Sequence, residues 1–333
     1  MATIDIFNIE PSVISRDLKG KYIAIYGREK VGKTTFGAHL PRALFCNFEV
    51  GTNFLSGVRK QNIAKWSDFK LVLRQLGQPK AHDYYDTVVI DTVSQAYTLC
   101  EEFICAQNGV QKLGDIPYGR GYADCKKEFE SSLRSITMLG FGICCICHSE
   151  IKKVPGPNDT TVEVVSPAMP SRAADVVNRL VDIIAYIDVN YDEQGVAHRS
   201  FITRRTPTIM AGSRLPYLDE RIPFSYDGLV DAIGRAIDRQ QELDGAEVVD
   251  TIESTVEDKL DYATLQAEAM EIWKKLCIKE DGTINEEMAR RILKRVEMVF
   301  GQPMKLSEIT EDQIDLYNLV LIDMRDLAAE VNA

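Results

Sequence analysis

Residues 22–34 read YIAIYGREKVGKT, and this stretch decides the fold. Tyr22–Tyr26 is a short apolar run rich in β-branched and aromatic residues, which predicts a strand. Gly27–Thr34 then satisfies the G-x-x-x-x-G-K-[ST] pattern, whose glycines allow a tight turn and aim backbone N–H groups at phosphate oxygens. A helix that begins near Lys33 adds its positive N-terminal end. The stretch therefore predicts a strand, a phosphate-binding loop and a helix that together hold a nucleoside triphosphate.

The predicted ligands are ATP and Mg²⁺. Lys33 is expected to reach the β- and γ-phosphates, and Thr34 to offer its hydroxyl to the metal. Residues 85–91, YDTVVID, predict a buried strand that ends in Asp91, the position from which a carboxylate holds Mg²⁺ in such proteins. A strand-terminal Asp before a helix also serves as an N-cap. The residues predicted to bind the nucleotide are Gly27, Arg28, Glu29, Lys30, Val31, Gly32, Lys33, Thr34 and Thr35.

Two further polar side chains follow predicted strands. Glu49 comes after ALFCNF and could orient or deprotonate the attacking water, or it is a solvated residue at a strand end. His148 follows FGICCIC at a carboxyl strand end, where open α/β sheets bind ligands. There it could contact the γ-phosphate, although a single His more often has a structural role. Both residues are predicted to act in catalysis.

Composition and cysteine usage limit the class of protein. The chain has 333 residues, 45% hydrophobic and 27% charged, as expected for a soluble globular protein with one large domain and a smaller one. It has neither a signal-peptide pattern nor a run of about 18 apolar residues, so we expect no membrane association. The eight cysteines lack disulfide or zinc spacing, and three lie in the apolar run FGICCIC, which predicts a buried strand. These features favour the cytoplasm, in a bacterial host if the gene belongs to a phage.

Charge and periodicity divide the chain into three parts. Residues 241–333 hold 22 acidic and 10 basic side chains, a net charge of −12, against +1 for residues 1–240. We predict an ATPase domain over residues 1–240, an acidic linker over 241–258 and an acidic helical module over 259–333. The clearest helix of that module places an apolar residue at every fourth position: Met288, Ile292, Val296 and Phe300.

Strand-like and helix-like stretches alternate through the first 240 residues, which predicts an α/β fold with a mainly parallel sheet. Residues 190–195 separate two strand patterns and predict a hairpin at the edge of that sheet. The predicted strands are 22–26, 43–48, 86–91, 141–147, 181–189 and 196–203. The predicted helices are 34–40, 67–77, 92–108, 122–139, 171–179 and 226–239.

Two segments predict mobile loops that could contact nucleic acid. Gly109–Tyr122 and Ser149–Pro170 mix basic residues with aromatic residues, glycines or prolines, a combination suited to phosphate neutralisation and base stacking on a single strand. Such loops are more often simply solvated surface. The candidate DNA-binding residues are Lys112, Tyr118, Arg120, Lys152 and Lys153.

A third basic cluster, Arg204 and Arg205 with Arg214 beyond it, follows the last predicted strand. A guanidinium that reaches across a subunit boundary can stabilise charge on the transferring phosphoryl group, so these residues are candidates for an arginine finger. The alternative is a solvated arginine pair at a strand end.

These motifs occur in an order that resembles a known family. GREKVGKTT, LFCNFEVG, TVVIDTVSQ, the loop IPYGRGY, ICHSEIKK and TRRTPTIMAGSR follow one another as in phage nucleotide-binding ATPases with a RecA-like core, the P-loop branch of the Sak-type single-strand annealing proteins. The resemblance covers about residues 15–240 and implies that the strand ending at His148 lies between the P-loop strand and the Asp91 strand. It further implies that Glu49 is the catalytic glutamate, Asp91 the metal-binding aspartate and His148 the γ-phosphate sensor.

The resemblance also implies assembly into rings or filaments with ATP between neighbours. We therefore expect an ATPase that binds single-stranded DNA and promotes annealing or strand exchange. A ring motor or helicase loader, and a nucleotide-dependent interaction switch without DNA contact, remain alternatives. The acidic module matches no part of that family. It could dock a single-strand-binding protein, cap an oligomer or mimic DNA in autoinhibition, but acidic helices are most often merely solvated.

Overall fold

The structure, a computed structural model, describes residues 14–15, 21–49, 56–156, 160–245, 248–249, 261–279 and 281–332. The chain divides into two compact units whose boundary falls between residues 256 and 257.

The larger unit alternates strands and helices along the chain. Its strands are β1 (Ile14–Ser15), β2 (Tyr22–Gly27), β3 (Ala43–Asn47), β4 (Arg59–Asn62), β5 (Thr87–Asp91), β6 (Gly142–Pro155), β7 (Thr161–Ala168), β8 (Ile183–Tyr191), β9 (Ala197–Ile202), β10 (Gly212–Ser213), β11 (Arg221–Pro223) and β12 (Val248–Val249). Its helices are α1 (Lys33–Ala38), α2 (Trp66–Leu76), α3 (Val93–Gln107), α4 (Arg120–Met138), α5 (Ser171–Leu180) and α6 (Tyr226–Asp244).

Ten of these strands form one sheet in the order β11-β9-β8-β2-β6-β5-β3-β4, with β10 added on β8 and β7 on β6. The run from β8 to β4 is parallel throughout. Because β6 lies between β2 and β5, His148 comes level with Gly27, the first residue of the phosphate-binding loop. This order agrees with the RecA-like arrangement that the resemblance implies, and the predicted α/β fold is confirmed.

Helices cover both faces of the sheet, as the near-continuous apolar strands require. In β2, Ala24 and Tyr26 belong to a core shared with α2, α3, α4 and α5. Ile23 and Ile25 point the other way and belong to a core shared with α1 and α6. The alternation of side chains along each parallel strand therefore produces a three-layer unit. The FGICCIC run is buried, as predicted, and burial raises the pKa of the Cys145 thiol to about 12.

The prediction of a loop over Ser149–Pro170 is wrong. β6 continues past His148 to Pro155 and pairs antiparallel with β7, from His148 opposite Ala168 to Pro155 opposite Thr161, so Lys152 and Lys153 lie on a β-hairpin. The sequence predicts a loop here because lysines and prolines are typical of loops. An edge hairpin tolerates both, since one of its faces is solvated.

Three smaller predictions also need correction. The Gly109–Tyr122 segment contains two short 3₁₀ turns, and its last residues already belong to α4, which begins at Arg120. The predicted hairpin forms from β8 and β9, but β11 pairs with β9, so that the hairpin is not the outermost element of the sheet. α6 extends to Asp244, so the first residues of the predicted linker are helical, while most of the linker lies outside the described residues.

The smaller unit consists of α7 (Tyr262–Cys277), α8 (Glu286–Phe300) and α9 (Ile314–Asn332) around their own core. Ile292 and Val296 of α8 are fully buried there, and Met288 and Phe300 pack beside them, as their spacing predicts. Among the described residues of both units, no helix is long and apolar enough to cross a membrane.

Candidate nucleotide-binding site

The loop between β2 and α1 has the backbone of an anion-binding site. Gly32 precedes α1 with a φ of 105°, a conformation that favours glycine, and Lys30 also has a positive φ, of 57°. Lys33 is only 6% exposed, and its Nζ donates to the carbonyl oxygens of Gly27, at 3.0 Å, and Arg28, at 2.7 Å. The ammonium is thus held beside the loop backbone, next to the N–H groups that would surround a phosphate.

Thr34 and Asp91, the two residues predicted to hold Mg²⁺, are in contact in the structure. The Thr34 hydroxyl donates to Asp91 Oδ2 at 2.8 Å, so the first turn of α1 meets the end of β5. Among the described residues, no three His, Cys, Asp or Glu side chains are grouped as a metal site. A single carboxylate and a hydroxyl fit Mg²⁺, which prefers one or two carboxylates together with water and substrate phosphates.

Burial disfavours both charges of this site. It lowers the pKa of Lys33, with the nearby Asp91 carboxylate opposing that shift. It raises the pKa of Asp91; the Thr34 hydrogen bond opposes this shift and the charge of Glu49 adds to it. A bound anion at Lys33 and a bound cation at Asp91 would each relieve this cost, so the electrostatics fit a magnesium–triphosphate complex.

Glu49 follows β3, the neighbour of the strand β5 that ends in Asp91. Its Oε2 is 3.5 Å from His148 Nε2, and its Oε1 accepts a hydrogen bond from the Thr92 hydroxyl. The structure therefore brings Glu49 and His148 together, and their catalytic roles stay predictions. Thr92 was missed by the sequence reasoning, although its place directly after Asp91 could have indicated it. His148 Nδ1 is buried and has no hydrogen-bond partner within the described part of the chain.

His148 does not end its strand, contrary to the prediction, because β6 runs on into the hairpin. The parallel pairing of β6 with β2 does end there, at the His148–Gly27 register position. A change at His148 would thus act on the point where the central sheet passes into the β6–β7 hairpin.

A cavity of about 320 Å³ adjoins α1 on the side of Thr35. Its walls include Phe36, Arg199 and Phe224, and Arg199 lies 5.1 Å above the Phe224 ring. Arg199 Nη1 also donates to the carbonyl of Val31 at 3.1 Å, which ties β9 to the phosphate-binding loop. An aromatic and a guanidinium group next to the second threonine of GKTT suit a nucleoside. Arg199 and Phe224 were not predicted from the sequence, because no local motif marks them.

The predicted DNA-binding residues occupy two exposed regions of the larger unit. Tyr118 is fully exposed, with a positive φ of 61°, and Lys112 and Arg120 lie near it in sequence. Lys152 and Lys153 are on the β6–β7 hairpin, where their ammonium groups lie 2.9 Å from Glu150 and 3.9 Å from Glu163. These five assignments stay predictions.

The arginine-finger candidates differ in their partners. Arg204 pairs with Glu220 at 2.7 Å, and Arg214 with Asp182 at 3.0 Å. Within the described residues, the Arg205 side chain has no ion pair or hydrogen bond. A finger acts on the nucleotide of a neighbouring copy, so this role also stays a prediction.

A phosphate-binding loop, a buried lysine, a threonine–aspartate pair and a RecA-like strand order together define a P-loop NTPase. The AAA_24 family, described as an AAA domain, matches residues 19–215, and the chain belongs to this family. The protein therefore contains an AAA-type P-loop ATPase domain. The chain is 29% identical to the SPbeta prophage-derived uncharacterized protein YorG of Bacillus subtilis (strain 168), over 98% of this chain and 99% of that protein.

Among solved structures, the chain is similar to the flagellar accessory protein FlaH of Methanocaldococcus jannaschii. The two share 13% identity with a TM-score of 0.34, over 62% of this chain and 85% of FlaH.

Proposed function

We propose that this protein hydrolyses ATP with Mg²⁺ and couples hydrolysis to the binding of single-stranded DNA, in annealing or strand exchange during phage recombination and replication. The ATPase part of the proposal rests on four residues at the carboxyl ends of the parallel strands: Lys33, Thr34, Asp91 and Glu49. The likeness to a prophage protein over nearly the whole chain supports the phage part. The exposed aromatic and basic residues of the larger unit support DNA binding.

In the proposed reaction, Glu49 accepts a proton from water as the water oxygen attacks the γ-phosphorus, and the bond to the β-phosphate oxygen breaks to release ADP. Lys33 and the loop N–H groups hold the phosphates. Thr34 and Asp91 would hold Mg²⁺, which neutralises charge on the phosphate oxygens. His148, 3.5 Å from Glu49, would transmit the loss of the γ-phosphate to the β6–β7 hairpin. A subunit interface with an arginine from the next copy would complete the site.

Steady-state ATP hydrolysis, with and without a long single-stranded DNA, tests the proposal in wild type and Lys33→Ala. We expect DNA to stimulate hydrolysis in the wild type and the variant to be inactive. A rate that does not respond to DNA, together with no DNA binding at low salt, would instead support a nucleotide-dependent interaction switch. The excess of acidic residues after residue 240 favours that second candidate.

A further inference from the structure

A second cavity, of about 220 Å³, lies beside the β6–β7 hairpin and shares no lining residue with the phosphate-binding loop. We call it the hairpin cavity. One wall is the hairpin face that carries Lys152 and Val164, which are directly opposite each other in the register. The other walls come from α5 and from the segment 205–210, which the backbone bond from Val165 N to Thr208 O fixes to β7 at 2.8 Å. Backbone hydrogen bonds thus hold the walls of the hairpin and the segment 205–210 together.

Two buried polar groups on its walls lack partners. Ser166 is 4% exposed, and its hydroxyl has no hydrogen-bond partner in the part of the chain that the structure describes. Asn178 Oδ1 on α5 is also buried and has no hydrogen-bond partner among the described residues. Most buried polar groups in proteins are paired, because an unpaired one costs folding free energy. A ligand with polar edges would supply the missing partners once these side chains turn towards it.

The remaining wall is apolar, and one arginine that is unpaired among the described residues borders the cavity. Val154, Met169 and Met210 provide aliphatic and thioether surface, which packs well against flat rings. Arg205 and Lys152 border the same cavity, and the Lys152 ammonium lies 2.9 Å from Glu150 Oε1. Arg205 is the member of its arginine cluster whose guanidinium is unpaired within the described residues, since Arg204 and Arg214 are held by Glu220 and Asp182. The cavity therefore suits a flat group with polar edges that carries negative charge beside it.

The hairpin cavity is also linked to the strand that leads into the phosphate-binding loop. The buried Tyr26 hydroxyl, one residue before Gly27, donates to the carbonyl of Met210 at 2.5 Å or to that of Val165 at 3.1 Å. His148 begins the hairpin on the other side. A ligand that shifts Met210 or β7 would therefore act directly on the neighbourhood of the nucleotide.

We infer that the hairpin cavity takes one base of a single-stranded nucleic acid, with Arg205 on a flanking phosphate. This inference rests on the proposed function and deepens it. The cavity is smaller than the roughly 300 Å³ at which pockets for drug-sized ligands begin, so a single base fits better than a whole nucleotide. Apolar walls with a few polar groups are the means by which proteins hold an unstacked base. An acidic segment of another protein is the rival occupant.

The test compares two labelled oligonucleotides of equal length, oligo-dT and its fully abasic counterpart, by fluorescence anisotropy at low salt. Ala174→Leu fills the cavity from α5 without changing charge. Ala106→Leu, an exposed position on α3, is the matched control. We expect Ala174→Leu to weaken oligo-dT binding about tenfold, as for the loss of one stacked base, and to leave the abasic affinity unchanged. An unchanged ATP affinity would show that the variant is folded.

Arg205→Ala tests the rim in the same assay. It should weaken the binding of both oligonucleotides and lower the slope of log affinity against log salt concentration by about 1. Arg74→Ala, at an exposed position on α2, should do neither. Equal effects of Ala174→Leu on the two oligonucleotides, or none, would overturn the base site alone. If Ala174→Leu changes self-association of the protein and leaves DNA binding intact, the cavity serves protein contacts and the base site is also overturned. If the wild type binds neither oligonucleotide, the proposed function itself fails.

Discussion

At the scale of single residues, Glu49 is the side chain whose role is most open to test. Its carboxylate is 3.5 Å from His148 and accepts a bond from Thr92, so Glu49→Gln keeps the shape of the site but cannot accept a proton. We expect ATP binding to persist and hydrolysis to fall about 100-fold or more, as for the loss of a general base. Equilibrium binding and steady-state turnover measure the two effects. Glu102→Gln, exposed on α3, is the control, and normal turnover in Glu49→Gln would remove this residue from the mechanism.

Lys33 connects function with stability. Burial lowers its pKa, so the ammonium is less favourable in the folded chain than in the unfolded one. Lys33→Met removes the charge and keeps an apolar stem; we therefore expect a higher free energy of unfolding without nucleotide and no stabilisation by ATP. As the pH rises towards 10.5, the unfolded chain keeps the proton longer than the folded chain, so wild-type stability rises relative to the variant.

Urea unfolding of the two proteins between pH 7 and pH 10.5 measures this difference. The advantage of Lys33→Met should be present at pH 7 and should shrink as the pH increases. An advantage that grows with pH, or a variant that is less stable at pH 7, would contradict the assigned shift.

At the scale of elements, the cavity of about 320 Å³ beside Thr35 joins α1, β9 and the start of α6, and two variants test whether it holds the nucleoside of ATP. Phe224→Ala removes the ring beneath Arg199. It should weaken ATP binding about tenfold and leave the binding of inorganic tripolyphosphate unchanged. Arg199→Ala also removes the hydrogen bond to the Val31 carbonyl and should weaken the binding of both ligands. Competition binding with the two ligands measures this. Equal losses of ATP and tripolyphosphate in Phe224→Ala would place the nucleoside elsewhere.

Local patterns in the sequence predict some of these elements, but not the contacts between distant ones. The GKT motif and the strand ending in Asp91 are local patterns, and both were located correctly because the chemistry requires those residues at that spacing. Arg199 is 168 residues from Val31, so no local pattern shows their contact. The β6–β7 hairpin was missed for another reason. Its pairing depends on the register between Lys152 and Val164, whereas its composition alone is typical of a loop.

At the scale of the whole molecule, the two compact units have separate cores, and only the larger one contains the phosphate-binding loop. A ligand stabilises the cooperative unit that binds it, by about 2.7 kcal/mol at 100 times its Kd. We expect calorimetry of the intact chain to show two unfolding transitions. MgATP should raise the Tm of one by about 5–10 °C, as its size implies, and leave the other unchanged.

Lys33→Met is the control for that measurement, because it should abolish the shift and retain both transitions. We expect the unshifted transition to come from α7, α8 and α9, which share a core around Ile292, Val296 and Tyr317. A single transition that moves as a whole with MgATP would show that the acidic helices unfold together with the ATPase domain. Their energetic coupling to the nucleotide would then make them part of the ATPase cycle, whereas two independent transitions assign them a role that does not depend on the nucleotide.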